Sequence, residues 1–171
     1  MQKFRQMNEG FNFVFEVDTI DEQVTRLKQW GKTNQTLVPI VRLGVGADKA
    51  DWQLPEGMPD STKLEEGTPD GLGATSIQME WRRIQQFTDP KSNMKNLPPW
   101  KQEMNWLQIL EGIHPAEAKI LTAVKDGKLL ELYPKLQKLM EPLGITEYNK
   151  PKKKRAPRKK KEGSCQISHR N

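Results

Sequence analysis

Residues 100–133, WKQEMNWLQILEGIHPAEAKILTAVKDGKLLELY, decide the fold class. Trp100, Met104, Leu107 and Leu110 recur at the spacing of one helical face, and Gly112 is placed to end that helix. His114 and Pro115 restart the chain. Proline suits the first position of a helix, and Glu117 in the first turn complements the helix dipole. Ala118, Leu121 and Val124 continue a second face, and Gly127 in the KDGK turn supplies a left-handed stop. The piece LLELYPKLQKLM is amphipathic, interrupted at Pro134 and stopped by Pro142.

Upstream, Ile77, Trp81, Ile84 and Phe87 form another helical face flanked by Arg82 and Arg83. LVPIVRLGV predicts a short helix over 37–44, since Pro39 is tolerated only near a helix start. Thr19 and Glu22 have the spacing of a capping box, in which each side chain satisfies the other's free backbone N–H. Ile20, Val24, Leu27 and Trp30 follow, with Gly31 as the expected stop. Residues 11–17, FNFVFEV, alternate Phe11, Phe13, Phe15 and Val17, which is strand periodicity, so the N-terminus reads as a short extended arm packed on helices. Residues 47–73 carry Pro55, Gly57, Pro59, Gly67, Pro69, Gly71 and Gly73; a loop this long is functional or wraps the surface, with Trp52 and Leu54 pinning it to the core. The expected fold is all-α: a small bundle of about five short helices with long loops over 18–149, an extended N-terminal arm over 1–17, and a disordered basic tail over 150–171.

The charge is divided in the same way. Of 171 residues, 28 are Lys or Arg and 22 are Asp or Glu, a net of +6. Residues 150–171 hold ten of the cations and one acid, Glu162, a net of +9; the other 149 residues carry 18 cations and 21 acids, a net of −3. Lys150, Lys152, Lys153, Lys154, Arg155, Arg158, Lys159, Lys160 and Lys161 are the candidate nucleic-acid-binding residues. Like charges this dense repel one another and keep such a segment extended. Each phosphate it contacts releases a condensed counterion, giving binding that weakens steeply with salt. No aromatic residues interleave with these cations, so sequence readout by the tail is not expected.

Other chemistries lack their residues. No apolar run approaches the roughly 20 residues of a membrane span, and MQKFRQMNEG lacks the apolar stretch of a signal peptide. One cysteine, Cys165, permits no internal disulfide, and with His169 it offers two ligands where structural zinc takes four. There is no phosphate-binding glycine motif. His114 has no evident nucleophile or carboxylate beside it, and capping explains it. The expectation is a non-enzymatic protein without cofactor or metal. Residues 106–124 also fit the outline of a helix-turn-helix regulator, in which Glu117 and Lys119 would face a DNA groove; an ordinary helical hairpin fits them better.

The segments DTIDEQVTRLKQW, DWQLPEGMPD, EWRRIQQF and LPPWKQEMNWLQILEGIHPAEAKILTAVKDGKLLELYPKL, in this order, resemble a family of small proteins of large contractile-tailed bacteriophages. The resemblance spans about residues 18–140, and its most specific part is the LEGIHPAEA…KDGKL block. The family has no assigned function or catalytic residue, so none transfers, and its members commonly begin with a helix, from which an FNFVFEV arm departs. The resemblance implies a viral protein in a host bacterial cytoplasm or in the virion. Its expected partners are the DNA or RNA phosphate backbone, through the tail, and another phage or host protein, through the helical domain. A virion structural or assembly component, whose tail meets packaged genome or an acidic protein surface, is the alternative.

Overall fold

The inward faces of residues 100–133 are built around Trp106, Ile109, Leu110 and Ile113. In the computed structural model, which describes residues 3–150, Pro99–Gly112 forms a helix (α5 below) with Gln102, Trp106, Ile109 and Leu110 buried. Trp100 and Met104, expected inside, are 60% and 52% exposed. Two apolar stripes compete on this helix. The one carrying Trp106, Ile109, Leu110 and Ile113 removes more apolar area from water, so it wins the core.

The elements in chain order are α1 (Met7–Phe15), α2 (Ile20–Thr33), α3 (Leu37–Gly44), α4 (Ile77–Thr88), α5 (Pro99–Gly112), α6 (Pro115–Lys125) and α7 (Leu129–Leu132). Short 3-10 turns occupy Asn93–Asn96 and Pro134–Leu139. The fold is all-α, and among the described residues there is no strand. α6 is central: it packs against α1, α3, α5 and α7, and buries Glu117, Ala118, Ile120, Leu121, Val124 and Lys125. Gly127 takes the left-handed conformation at φ 68°. The Lys128 N–H then donates to the Ala123 carbonyl at 2.8 Å and that of Gly127 to Val124 at 3.2 Å, the paired bonds of a Schellman stop.

Residues 11–17 are not an extended arm. Met7–Phe15 is helical, with Met7, Phe11 and Val14 buried and Phe15 packed against the core. The alternation of phenylalanines suits a strand, but a strand's backbone needs a pairing edge, and none exists among the described residues. Met7 and Val14 complete a helical face instead. Phe11 meets Trp30 edge-on at 5.2 Å between centroids and stacks on Tyr133 at 4.5 Å. α1 approaches α2 at Gly10, where an added Cβ would lie 2.1 Å from the Trp30 ring.

Two details of α2 also differ from expectation. The Thr19 hydroxyl donates to the Glu22 carboxylate at 3.0 Å rather than capping a backbone N–H. Gly31 lies inside the helix, which runs on to Thr33 before Asn34 opens the next turn by accepting from the Thr36 N–H and hydroxyl. α3 spans the expected 37–44 with Pro39 in its first turn.

The long loop wraps α5 and α6 and is stitched down along its length. Trp52 packs edge-on against Trp106 at 5.6 Å, and Leu54, Met58 and Leu64 pack against the core. The Gly57 N–H donates to Asp126 at 3.0 Å, Lys125 Nζ to the Pro55 carbonyl at 2.7 Å, the Lys63 N–H to Glu111 at 3.0 Å and the Gly71 N–H to Gln6 at 3.1 Å.

Candidate functional site

The polar centre of the domain is the N-terminal turn of α6. Pro115 starts the helix and leaves its first N–H groups to be capped by His114, whose Nδ1 accepts from the Ala116 N–H at 3.1 Å. With Nδ1 an acceptor, Nε2 carries the hydrogen and donates to the Thr68 carbonyl at 2.9 Å. Both ring nitrogens of this buried histidine are therefore committed to holding helix and loop together. That is the capping role its position before proline suggests.

Glu117, one turn on, is fully buried. Its carboxylate accepts from the Met7 N–H at 2.8 Å and from the Ile77 N–H at 3.3 Å, which are the first residues of α1 and α4. One side chain thus satisfies free N–H groups at two helix starts far apart in sequence. Burial pushes the Glu117 carboxyl up to about 7, while those two hydrogen bonds pull it back. Nothing in the sequence distinguishes Glu117 from an exposed first-turn acid, because its donors come from segments 110 and 40 residues away.

α6 is largely enclosed by the other helices. Glu117 is internal, and Lys119 is the one residue of Pro115–Lys125 classed as exposed. A recognition helix must present a whole face to base edges. The segment 106–124 is a helical hairpin whose second helix is built into the core.

Of the nine candidate cations, Lys150 lies within the described residues, exposed, with its ammonium 5.9 Å from the centre of the Tyr148 ring. Lys152, Lys153, Lys154, Arg155, Arg158, Lys159, Lys160 and Lys161 lie outside the described residues, as does the expectation of disorder for the tail. The root of that segment is fixed. The Asn149 N–H donates to the Val45 carbonyl at 2.8 Å, and the Asn149 side chain lies against Gly46. Gly46 at φ 78° opens the space that this side chain fills.

A half-enclosed apolar groove of about 340 Å³ opens between α2, α3 and residues 143–145. Leu27, Leu37, Val41 and Ile145 form its floor, and Lys28 and Lys32 stand one helical turn apart beside it. Neither lysine makes an ion pair among the described residues. Among the described residues no three His, Cys, Asp or Glu side chains gather as metal ligands, and no helix is long and apolar enough to cross a membrane.

Comparison with models of known families, with curated proteins and with solved structures found no match.

Proposed function

We propose that this chain is a non-enzymatic bacteriophage accessory protein that holds nucleic acid through the phosphate contacts of its polybasic segment, while its helical domain docks on a protein partner. The observation that carries this reading is the placement of nine cations among the twelve residues 150–161, without a single acid. A polyanion is the partner such a segment suits best, because phosphate contact releases counterions and needs no fixed geometry. The phage context rests on the resemblance of residues 18–140.

Two structural features support the division of labour. The Asn149 N–H is tied to the Val45 carbonyl, so the run of cations begins beside an anchored residue of the domain. The groove beside α2 offers apolar surface with Lys28 and Lys32 at its edge, which suits an apolar side chain flanked by an acidic one.

Truncation after Asn149 tests the reading. The full chain is expected to bind duplex DNA with an affinity that falls steeply with salt, and the truncated chain is expected to lose most of that affinity. Equal binding by the two would refute the assignment to residues 150–161.

A further inference from the structure

The groove between α2 and α3 carries charge of one sign. Its lining holds two exposed cations, Lys28 and Lys32, and no acid; Glu141 and Glu147 stand near residues 143–145 in sequence but do not line it. On the α3 side its wall includes Val38, 47% exposed. An occupant must therefore bring an apolar side chain together with negative charge.

The same helix presents that combination at its other end. Ile20, 43% exposed at the start of α2, has exposed acids on both sides: Asp18 before it, and Asp21 and Glu22 after it. Glu22 accepts from the Thr19 hydroxyl, and none of the three acids makes an ion pair among the described residues. Lys135 and Lys138, on the 3-10 turn that packs against α2, are not paired with them. Arg26 is engaged by Glu16 and the Phe13 carbonyl. Ile20, Val24, Leu27 and Gly31 recur at the spacing of one helical stripe. Asp21 and Lys28, two turns apart, flank that stripe on the same side. One helix face thus shows an apolar knob beside acids and, further along, an apolar groove beside cations.

From this arrangement we infer that the α2 face joins two copies of this chain, packed antiparallel about a two-fold axis, with Ile20 of each copy seated in the groove of the other. Antiparallel packing sets Ile20 opposite Gly31 of the second copy, where no side chain blocks it, and Val24 opposite Leu27. Asp21 then lies level with the turn that carries Lys28 and Lys32. The two-fold operation makes every one of these contacts twice. Among the large apolar side chains exposed in the described residues, Ile20 alone has an acid within two residues on each side. Leu132, next to Glu131, shares its depression with Lys119 and Lys128, which the groove's lysines would repel. One helix and one groove per copy make a small interface, so monomer and dimer exchange with concentration. The inference rests on the protein-docking part of the proposed function, whose partner it identifies as a second copy; it is independent of nucleic-acid binding.

Sedimentation of the full chain over a concentration series, at fixed salt, tests it. The expected mass rises from 19.7 kDa to twice that value. Asp21→Lys and Lys28→Glu each place two like-charge pairs in the dimer, and each should weaken it by about tenfold or more. An equimolar mixture of these two variants should recover the association, because each supplies the charge that the other needs. Ile20→Ser should weaken the dimer without altering any charge, which keeps the test independent of how the helix bears the reversals. A full chain that stays monomeric overturns the inference while leaving the groove to a different protein and the polybasic segment to nucleic acid. Weakening by Asp21→Lys with no effect of Lys28→Glu assigns the acids to the polybasic segment and also overturns it. Growth beyond two copies, or a mixture no stronger than its components, rules out the two-fold contact. Duplex binding is read separately by the truncation after Asn149, so the two halves of the proposed function fail independently.

Discussion

Glu117 holds two helix starts with one carboxylate, and burial costs it part of its acidity. Its folded value of about 7 lies above the ordinary carboxyl value of 4.5, because removing the charged form from water outweighs the hydrogen bonds from Met7 and Ile77. The folded chain therefore binds this proton more tightly than the unfolded chain does. The resulting stability is fully present below about pH 4.5 and is lost as pH rises through about 7. The expected change from this one group is on the order of 3 kcal/mol, read as a falling urea midpoint between pH 5 and pH 8. Glu117→Gln removes the ionisation, so its midpoint should be flat over that window; a slope equal to the wild type's would assign the effect to another group. Trp100 makes the complementary point at the surface. Its spacing with Met104 is that of a core stripe, and only the stronger stripe through Trp106 turns it outward.

At the scale of elements, α1 shows how a pattern with two valid readings is settled by its neighbours. FNFVFEV has the period of a strand, yet a helix satisfies its own backbone, and Gly10 lets that helix lie against Trp30. Gly10→Ala places a methyl inside the Trp30 ring, so it should cost about 1–3 kcal/mol by overpacking, measured by chemical denaturation. An unchanged midpoint would mean that α1 does not seat there. The other helices were legible because their punctuation is local: Pro99 and Pro115 at helix starts, and Gly127 at a stop. The path of residues 47–73 was not legible, because its anchors are long-range. Lys125 and Asp126 are a buried pair whose remaining hydrogen-bonding capacity goes to Pro55 and Gly57. Asp126→Ala strands the buried ammonium and should cost about 3 kcal/mol or more. Limited proteolysis should then cut within residues 47–73 of the variant sooner than in the wild type, and equal cleavage rates would argue against this strap.

Over the whole molecule, the total charge of +6 describes neither part. The domain is slightly acidic, and the cations of 150–161 begin next to Asn149, whose N–H is anchored on the Val45 carbonyl. Composition alone made that division visible. The central claim is that residues 150–161 carry the duplex affinity through phosphate contacts. The most direct test is duplex DNA binding across a salt series for the full chain and for the chain ending at Asn149. With about five phosphates contacted, log K against log salt should have a slope of about −4 to −5 for the full chain. The shortened chain should bind weakly with a slope close to zero. The same affinity and the same slope for both chains would contradict the account.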